Sequence, residues 1–255
     1  MLAPHGSVVT AVNGIPWWYF YGHDGPYRNK TLQSVDPGGA QWQCIGTERA
    51  IGCVVYPACE FKEPGVITLV EGDRLTLGEP SGQSTVRVTA LAEAMRNGGL
   101  KAPVKSRIRD EIWIKLCGNL SFNPISALTL ATLEDICKFP NTRALARAMM
   151  FEAQQVAEHL GVCFAIDVDK RIAGAEAVGA HKTSMLQDLE CGRPLEIDAL
   201  VSSVQELDRI VAIATTTIDA LLALLRLRER HAQKHRTQFD GPPACVRPDS
   251  RELVK

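Results

Sequence analysis

Three polar residues, Lys115, Asn119 and Asn123, lie four residues apart in the segment 108–124, IRDEIWIKLCGNLSFNP. Each four-residue step on an α-helix turns the chain by about 400°, so the three side chains form one row along a single helix face. An ammonium group and two amides on an otherwise buried helix need partners, and a bound polar ligand could be one of them. The spacing therefore indicates a polar ligand site.

The alternative interpretation is a solvated helix face, because rows of polar residues on exposed helices are common. Two observations weaken this alternative. Asn is a poor helix former, and the flanking triplets 116–118 (LCG) and 120–122 (LSF) are apolar for an exposed surface. The spacing alone leaves both interpretations open.

The helix that would carry this row also has an apolar row, which predicts its core-facing stripe. The apolar row consists of Ile108, Ile112, Leu116 and Leu120, with Trp113 beside it. Proline lacks an N–H group and restricts the residue before it. We therefore expect the helix to end or kink at Asn123, immediately before Pro124.

The composition is that of an ordinary soluble globular protein. The 255 residues are 45% hydrophobic and 22% charged, with a formal net charge of -1. Such a charge gives no general attraction to nucleic acid or anionic membrane. No apolar run is long enough to span a bilayer, and the first residues, MLAPHGSVVTAV, lack the features of a signal peptide. We expect a cytoplasmic protein whose partners are small molecules or proteins.

The eight cysteines form no CxxC pair, and several lie in apolar stretches. This pattern predicts reduced and mostly buried thiols, and neither a disulfide framework nor a zinc site. His231 and His235 lie four residues apart on a predicted helix, but no third ligand accompanies them. We expect no metal site.

The N-terminal part, residues 1–106, is rich in β-strand patterns. Apolar or β-branched runs predict strands at 6–14, 50–57, 65–70, 74–77 and 100–104, with the three middle runs forming a small antiparallel arrangement. Helical spacing predicts a helix over 86–97. An aromatic cluster, residues 17–21, predicts an irregular loop with a hydrophobic anchor that acts as a plug or a lid.

From residue 107 to 235 the pattern is helical throughout. Further helices are predicted over 142–160, 167–178, from about 196, and over 217–230. Residues 236–255 contain three prolines and little periodic apolar content, which predicts a disordered tail. Two polar residues of the helical part could have purely structural roles. Ser184 could be a helix N-cap, and Glu196 could be a first-turn glutamate favoured by the helix dipole.

Three segments resemble the ketopantoate reductases (2-dehydropantoate 2-reductases). Residues 115–124, KLCGNLSFNP, are similar to the catalytic helix of that family. Residues 181–188, HKTSMLQD, followed by 192–198, GRPLEID, are similar to its SSMLQD…G…EID signature. A weaker match is Asn13-Gly14 after the first strand, where the family has Gln-Asn-Gly and this chain has Val12 in place of the Gln.

The resemblance implies a Rossmann-type NADPH-binding domain, an α/β fold, joined to an all-α helical domain, as in the 6-phosphogluconate-dehydrogenase-like fold. It implies reduction of 2-dehydropantoate to pantoate, a step of pantothenate and coenzyme A synthesis. Lys115 would be the general acid, and Glu196 would interact with it and with the nascent hydroxyl. The resemblance also implies substrate contacts from Asn119, Asn123 and Ser184, the last at the carboxylate, and a cofactor contact from Asn13.

The sequence departs from the family at its start. A dinucleotide-binding domain opens with a strand and GxGxxG, and no such motif is present. We therefore expect an incomplete Rossmann-type domain that has lost its first βαβ units. Two alternatives remain: a non-catalytic remnant that binds a ligand or dimerises, and a reductase of another 2-keto acid. The resemblance is compatible with a homodimer or a monomer.

Overall fold

The structure is a computed structural model that describes residues 2–3 and 5–238. Five strands are present: β1 Val8–Ala11, β2 Ala50–Val55, β3 Ala58–Glu63, β4 Val66–Glu71 and β5 Leu75–Gly78. The helices of the first part are α1 Ala40–Ile45 and α2 Val86–Asn97. The later helices are α3 Ile108–Thr129, α4 Leu133–Lys138, α5 Pro140–His159, α6 Val168–Ala177, α7 Ser184–Glu190, α8 Ser203–Val211 and α9 Thr216–Gln238.

The strands form two separate sheets. The first has the order β1-β2-β5, in which β1 is parallel and β5 antiparallel to the central strand β2. The second is the antiparallel hairpin β3–β4. The predicted strands over 50–57, 65–70 and 74–77 therefore do not form one antiparallel sheet. Strand β3 (ACEFKE) was not predicted, because its sequence lacks a β-branched run.

The predicted strand over 100–104 is wrong. This segment makes only two isolated parallel bridges, Arg74 with Lys101 and Leu77 with Val104. Pro103 lies between the two bridges and cannot donate to a ladder, so regular pairing is interrupted there. The helix predicted over 86–97 is confirmed as α2, with the Thr85 side chain accepting a hydrogen bond from the backbone N–H of Val88.

The aromatic cluster is a buried plug. Trp18, Tyr19 and Phe20 have no exposed surface. The Trp18 indole donates to Thr10 Oγ1 of β1 at 2.8 Å, and the Trp113 indole of α3 donates to Tyr19 Oη at 2.7 Å. The cluster thus connects the first sheet to α3 in one continuous hydrophobic core.

Helix α3 is the central element, and its predicted core stripe is confirmed. Ile108, Leu116, Leu120 and Trp113 are at most 1% exposed and Ile112 is 7% exposed. The predicted end at Asn123 is wrong, because α3 contains Pro124 and continues to Thr129, while the alternative of a kink stays a prediction. The residues that follow Pro124 are buried in the main core, and their packing holds the last turn despite the missing N–H.

The helices predicted over 142–160 and 167–178 correspond to α5 and α6. The segment near residue 196 differs from a regular helix, because Asp198–Ser202 is a π-helix that leads into α8. Its buried face is as expected, formed by Ile197, Leu200, Val201, Val204 and Leu207. Helix α9 runs three residues into the predicted tail, and the rest of that tail, 239–255, lies outside the described residues.

The cysteines are less buried than predicted. Of the seven in the described part of the chain, Cys53, Cys117 and Cys137 are buried, while Cys44, Cys59 and Cys163 are exposed. None of these seven forms a disulfide with another described cysteine. Within residues 2–3 and 5–238, no helix is long and apolar enough to cross a membrane.

Candidate functional site

The site is centred on a hydrogen-bonded chain of three polar residues. Lys115 Nζ donates to Asn13 Oδ1 at 2.7 Å and also to the backbone carbonyl of Val55. Asn13 Nδ2 in turn donates to Glu196 Oε2 at 2.9 Å. The Asn13 amide therefore links the ammonium group to the carboxylate, although Lys115 lies 102 residues and Glu196 lies 183 residues further along the chain.

The surrounding cavity has a volume of about 710 Å³. All six predicted site residues line it: Asn13, Lys115, Asn119, Asn123, Ser184 and Glu196. One wall is formed where the parallel strands β1 and β2 end, and a polar face of α3 forms another. The spacing of the polar row on α3 thus predicted side chains that share one cavity, and the solvated-face alternative is wrong.

Burial lowers the pKa of Lys115 below its usual value, because removal from water disfavours the charged ammonium. The negative charge of Glu196 opposes this effect and favours the protonated form. Cys53 of β2 is buried nearby, and desolvation raises the pKa of its thiol to about 11. Glu196 is therefore the carboxylate that favours a positive charge on Lys115.

The position of Asn13 depends on the glycine that follows it. Gly14 has φ of 80°, and a Cβ atom there would lie 2.1 Å from the carbonyl oxygen of Ala199. The same carbonyl accepts a hydrogen bond from the Ile15 N–H at 3.0 Å. Only glycine permits this turn and this close approach. The contact joins the end of β1 to the π-helix just beyond Glu196.

The N-cap alternative for Ser184 is wrong, and the helix-dipole alternative for Glu196 stays a prediction. Thr183, not Ser184, is the N-cap of α7, since its side chain accepts from the Leu186 N–H. Ser184 is the first helical residue, and it is exposed where it lines the cavity. Glu196 precedes the helical segment, and its carboxylate accepts a hydrogen bond from Asn13.

The two amides of the α3 row are placed differently. Asn119 is half-buried, whereas Asn123 is only 4% exposed. Asn123 Nδ2 is buried and has no hydrogen-bond partner in the described part of the chain. An unpaired buried amide is unfavourable, so Asn123 has donor capacity available for a ligand that enters the cavity.

Two further cavity residues were not predicted from the sequence. Tyr56 follows β2, and the centre of its ring lies 3.9 Å from Arg74 Cζ and 5.9 Å from Lys115 Nζ. Arg171 of α6 also lines the cavity, together with small residues of its helix. An aromatic residue directly after a strand was a weak signal for Tyr56, but nothing in the sequence pattern distinguished Arg171 from other surface arginines.

Comparison with known proteins identifies the family. The chain is 63% identical over 226 residues to the 2-dehydropantoate 2-reductase of Mesorhizobium japonicum, an alignment that covers 89% of this chain and 69% of that protein. Residues 107–229 match the family described as ketopantoate reductase PanE/ApbA C terminal. The chain belongs to the ketopantoate reductase family.

More distant relatives and solved structures agree. The 2-dehydropantoate 2-reductase of Halobacterium salinarum is 32% identical over 170 residues, which cover 66% of this chain and 56% of that protein. A structure assigned as a ketopantoate reductase from Ralstonia solanacearum has a TM-score of 0.86 and 41% identity, covering 90% of this chain and 70% of that one. The 2-dehydropantoate 2-reductase structure from Geobacter metallireducens has a TM-score of 0.73 and 27% identity, covering 87% and 68%.

These comparisons confirm the resemblance and the fold class, a Rossmann-type N-terminal part followed by a helical part. As a member of the ketopantoate reductase family, the chain is related to 2-dehydropantoate 2-reductases, which are oxidoreductases. The D-mandelate dehydrogenase structure with NADH and anilino(oxo)acetate shares its fold at 19% identity, with a TM-score of 0.75 and coverage of 91% and 70%. The individual roles of the six site residues and the division of the chain into residues 1–106, 107–235 and 236–255 stay predictions.

Proposed function

We propose that this protein reduces 2-dehydropantoate to pantoate with NADPH, and that the Lys115 cavity holds the 2-keto acid. The observation that carries the proposal is the chain of hydrogen bonds from Lys115 through Asn13 to Glu196. A half-buried ammonium group that lines a cavity can donate a proton to a developing oxyanion. The relatives' reaction, the reduction of a 2-keto group, needs such a donor.

The residues of the cavity suit one end of the cofactor. Ligands of open α/β sheets bind outside the carboxyl ends of parallel strands, and here Val12, Asn13 and Tyr56 line the cavity just beyond β1 and β2. Asn13 and Tyr56 would therefore lie beside a nicotinamide ring. The 255 residues contain no GxGxxG segment that would bind the pyrophosphate. When bound, NADPH would supply the hydride to the keto carbon.

The chain's own residues would position and protonate the substrate. Lys115 would transfer a proton from Nζ to the oxygen of the 2-keto group as that oxygen gains negative charge. Glu196 would favour the protonated form of Lys115 before the transfer, and Asn13 would fix the direction of both groups. Asn119, Asn123 and Ser184 would bind the polar atoms of the keto acid without adding charge.

Two expectations about the whole protein belong to the same proposal. A ketopantoate reductase from Staphylococcus aureus is described as dimeric, and we infer a homodimer here as well, to be tested by analytical ultracentrifugation. The cytoplasmic location expected from the sequence also stays a prediction.

The decisive experiment compares Lys115→Met with Lys101→Met, a surface lysine paired with Asp73. The chain is titrated with NADPH, followed by nicotinamide fluorescence, and then assayed with ketopantoate. We expect Lys115→Met to lower kcat by about 10²–10⁴-fold, the usual contribution of a positioned acid, and Lys101→Met to leave it unchanged. Full activity in Lys115→Met would contradict the assigned role. Keto-acid binding without NADPH binding or turnover would instead support a non-catalytic ligand-binding protein.

A further inference from the structure

The charges around the cavity are not balanced. Its lining contains two basic side chains, Lys115 and Arg171, and one carboxylate, Glu196. His181 also lines it and contributes no negative charge in either protonation state. Because Glu196 interacts electrostatically with Lys115, the positive charge of Arg171 is the one without a counterpart in the lining.

Arg171 is fixed in place by neutral groups. Its Nε donates to the carbonyl oxygen of Ile166 at 3.2 Å, and its guanidinium carbon lies 4.5 Å from the centre of the Phe164 ring. It also contacts the thiol of Cys117, whose pKa burial raises to about 12, so that this thiol stays neutral. Among the described residues, no carboxylate lies within ion-pair distance of Arg171.

The helix that carries Arg171 leaves room beside it. Arg171, Gly174, Ala175 and Val178 all line the cavity from α6 and its C-terminal end, with the i, i+3, i+4, i+7 spacing of one helix face. Three of these four residues are small or apolar, so Arg171 is the only charged group on that wall of the described structure. A half-buried guanidinium in this setting suits a planar anion.

We propose that Arg171 binds the carboxylate of the 2-keto acid and selects charged over neutral substrates. The inference rests on the proposed function, because a 2-keto acid presents a carboxylate next to the carbonyl that Lys115 would protonate. Arg171 would offer that carboxylate charge-assisted hydrogen bonds from a guanidinium already oriented by Phe164 and Ile166. The hydroxyl of Ser184 would then complement the arginine instead of binding the anion alone.

The test compares two ligands that differ in charge. The full chain is titrated by calorimetry with ketopantoate and with its neutral lactone. For Arg171→Gln we expect the affinity for ketopantoate to fall at least about tenfold, as for the loss of a hydrogen bond to a charged group, while the affinity for the lactone is unchanged. Arg171→Lys keeps the charge and should retain part of the preference for the acid.

Arg147→Gln is the matched control, since this arginine also lies over an aromatic ring, Phe151 at 4.6 Å, but outside the cavity. It should bind both ligands as the unmodified chain does. Unchanged ketopantoate affinity in Arg171→Gln, or an equal loss for acid and lactone, would overturn the inference and leave the proposed function intact. Failure of the unmodified chain to bind either ligand would overturn both.

Discussion

At the scale of single residues, the site depends on the charge of one half-buried lysine, Lys115. Burial favours neutral Lys115, whereas the carboxylate of Glu196 favours the ammonium form. Asn13 lies between the two groups and hydrogen-bonds to both, so in the described structure the carboxylate acts on Lys115 without a direct ion pair that would hold the proton more tightly. Lys115 can therefore stay charged and still release its proton.

Replacing Glu196 with Gln should lower the pKa of Lys115 further. The amide keeps the size of the side chain but removes the negative charge that stabilises the ammonium, so the group would lose its proton at a lower pH. Activity that needs protonated Lys115 would then decline at a lower pH on the alkaline side of its profile. NMR titration of lysines labelled with ¹³C at Cε, assigned with Lys115→Met, measures the shift directly.

Glu190→Gln is the control for this titration, because Glu190 pairs with Lys182 at the surface. It should leave the Lys115 titration unchanged. An unaltered or raised pKa of Lys115 in Glu196→Gln would show that the carboxylate does not set its charge.

At the scale of secondary-structure elements, one glycine fixes how β1 meets the segment that follows Glu196. Gly14→Ala should destabilise the protein and displace Asn13 from Lys115. The substitution requires a positive φ, at about 1–2 kcal/mol, and also places Cβ against the Ala199 carbonyl, with an overpacking cost of about 1–3 kcal/mol. Urea denaturation measures the loss of the free energy of unfolding.

Gly22→Ala separates these two costs. Gly22 has φ of 61°, but no atom lies within 4 Å of the added Cβ. This variant should therefore lose only the backbone part. Equal losses in the two variants would mean that the contact with Ala199 is easily relieved.

The elements that could be predicted are those with a local signal. The apolar row of α3 and the helical spacing of α2 are properties of consecutive residues, so the sequence alone located them. The continuation of α3 through Pro124 depends on the surrounding core, and the π-helix Asp198–Ser202 has no periodic signature of its own. Both were therefore missed.

The site, like the fold, was only partly predictable from the sequence. The row of Lys115, Asn119 and Asn123 followed from spacing on one helix. Asn13, Ser184 and Glu196 came only from the family resemblance, because the fold brings them together from distant parts of the sequence. Arg171 was missed, since its isolation from carboxylates is a property of the folded chain.

At the scale of the whole molecule, the main hydrophobic core includes both the aromatic plug and helices α3 to α9, while a smaller cluster lies between the first sheet and α2. Trp18→Ala should therefore lower the free energy of unfolding by about 3–5 kcal/mol, the usual cost of removing a buried aromatic side chain. The loss would affect both the sheet and α3, so unfolding should remain one cooperative transition. Differential scanning calorimetry can check both points.

Phe139→Ala provides the comparison, because Phe139 is 57% exposed. It should change stability by no more than about 0.5 kcal/mol. A Trp18→Ala protein with two separate thermal transitions would show that the plug does not couple the two parts.

The π-helix Asp198–Ser202 makes the site sensitive to insertions and deletions. Within it, the Ser203 N–H donates to the Asp198 carbonyl five residues back, one residue further than in an α-helix. Deleting one residue here would restore a regular helix but rotate Glu196 by about 100° relative to the buried face of α8. The more regular helix would then direct the carboxylate away from Asn13. The number of residues in this one turn, in addition to their identity, therefore aligns the Glu196 carboxylate with Lys115.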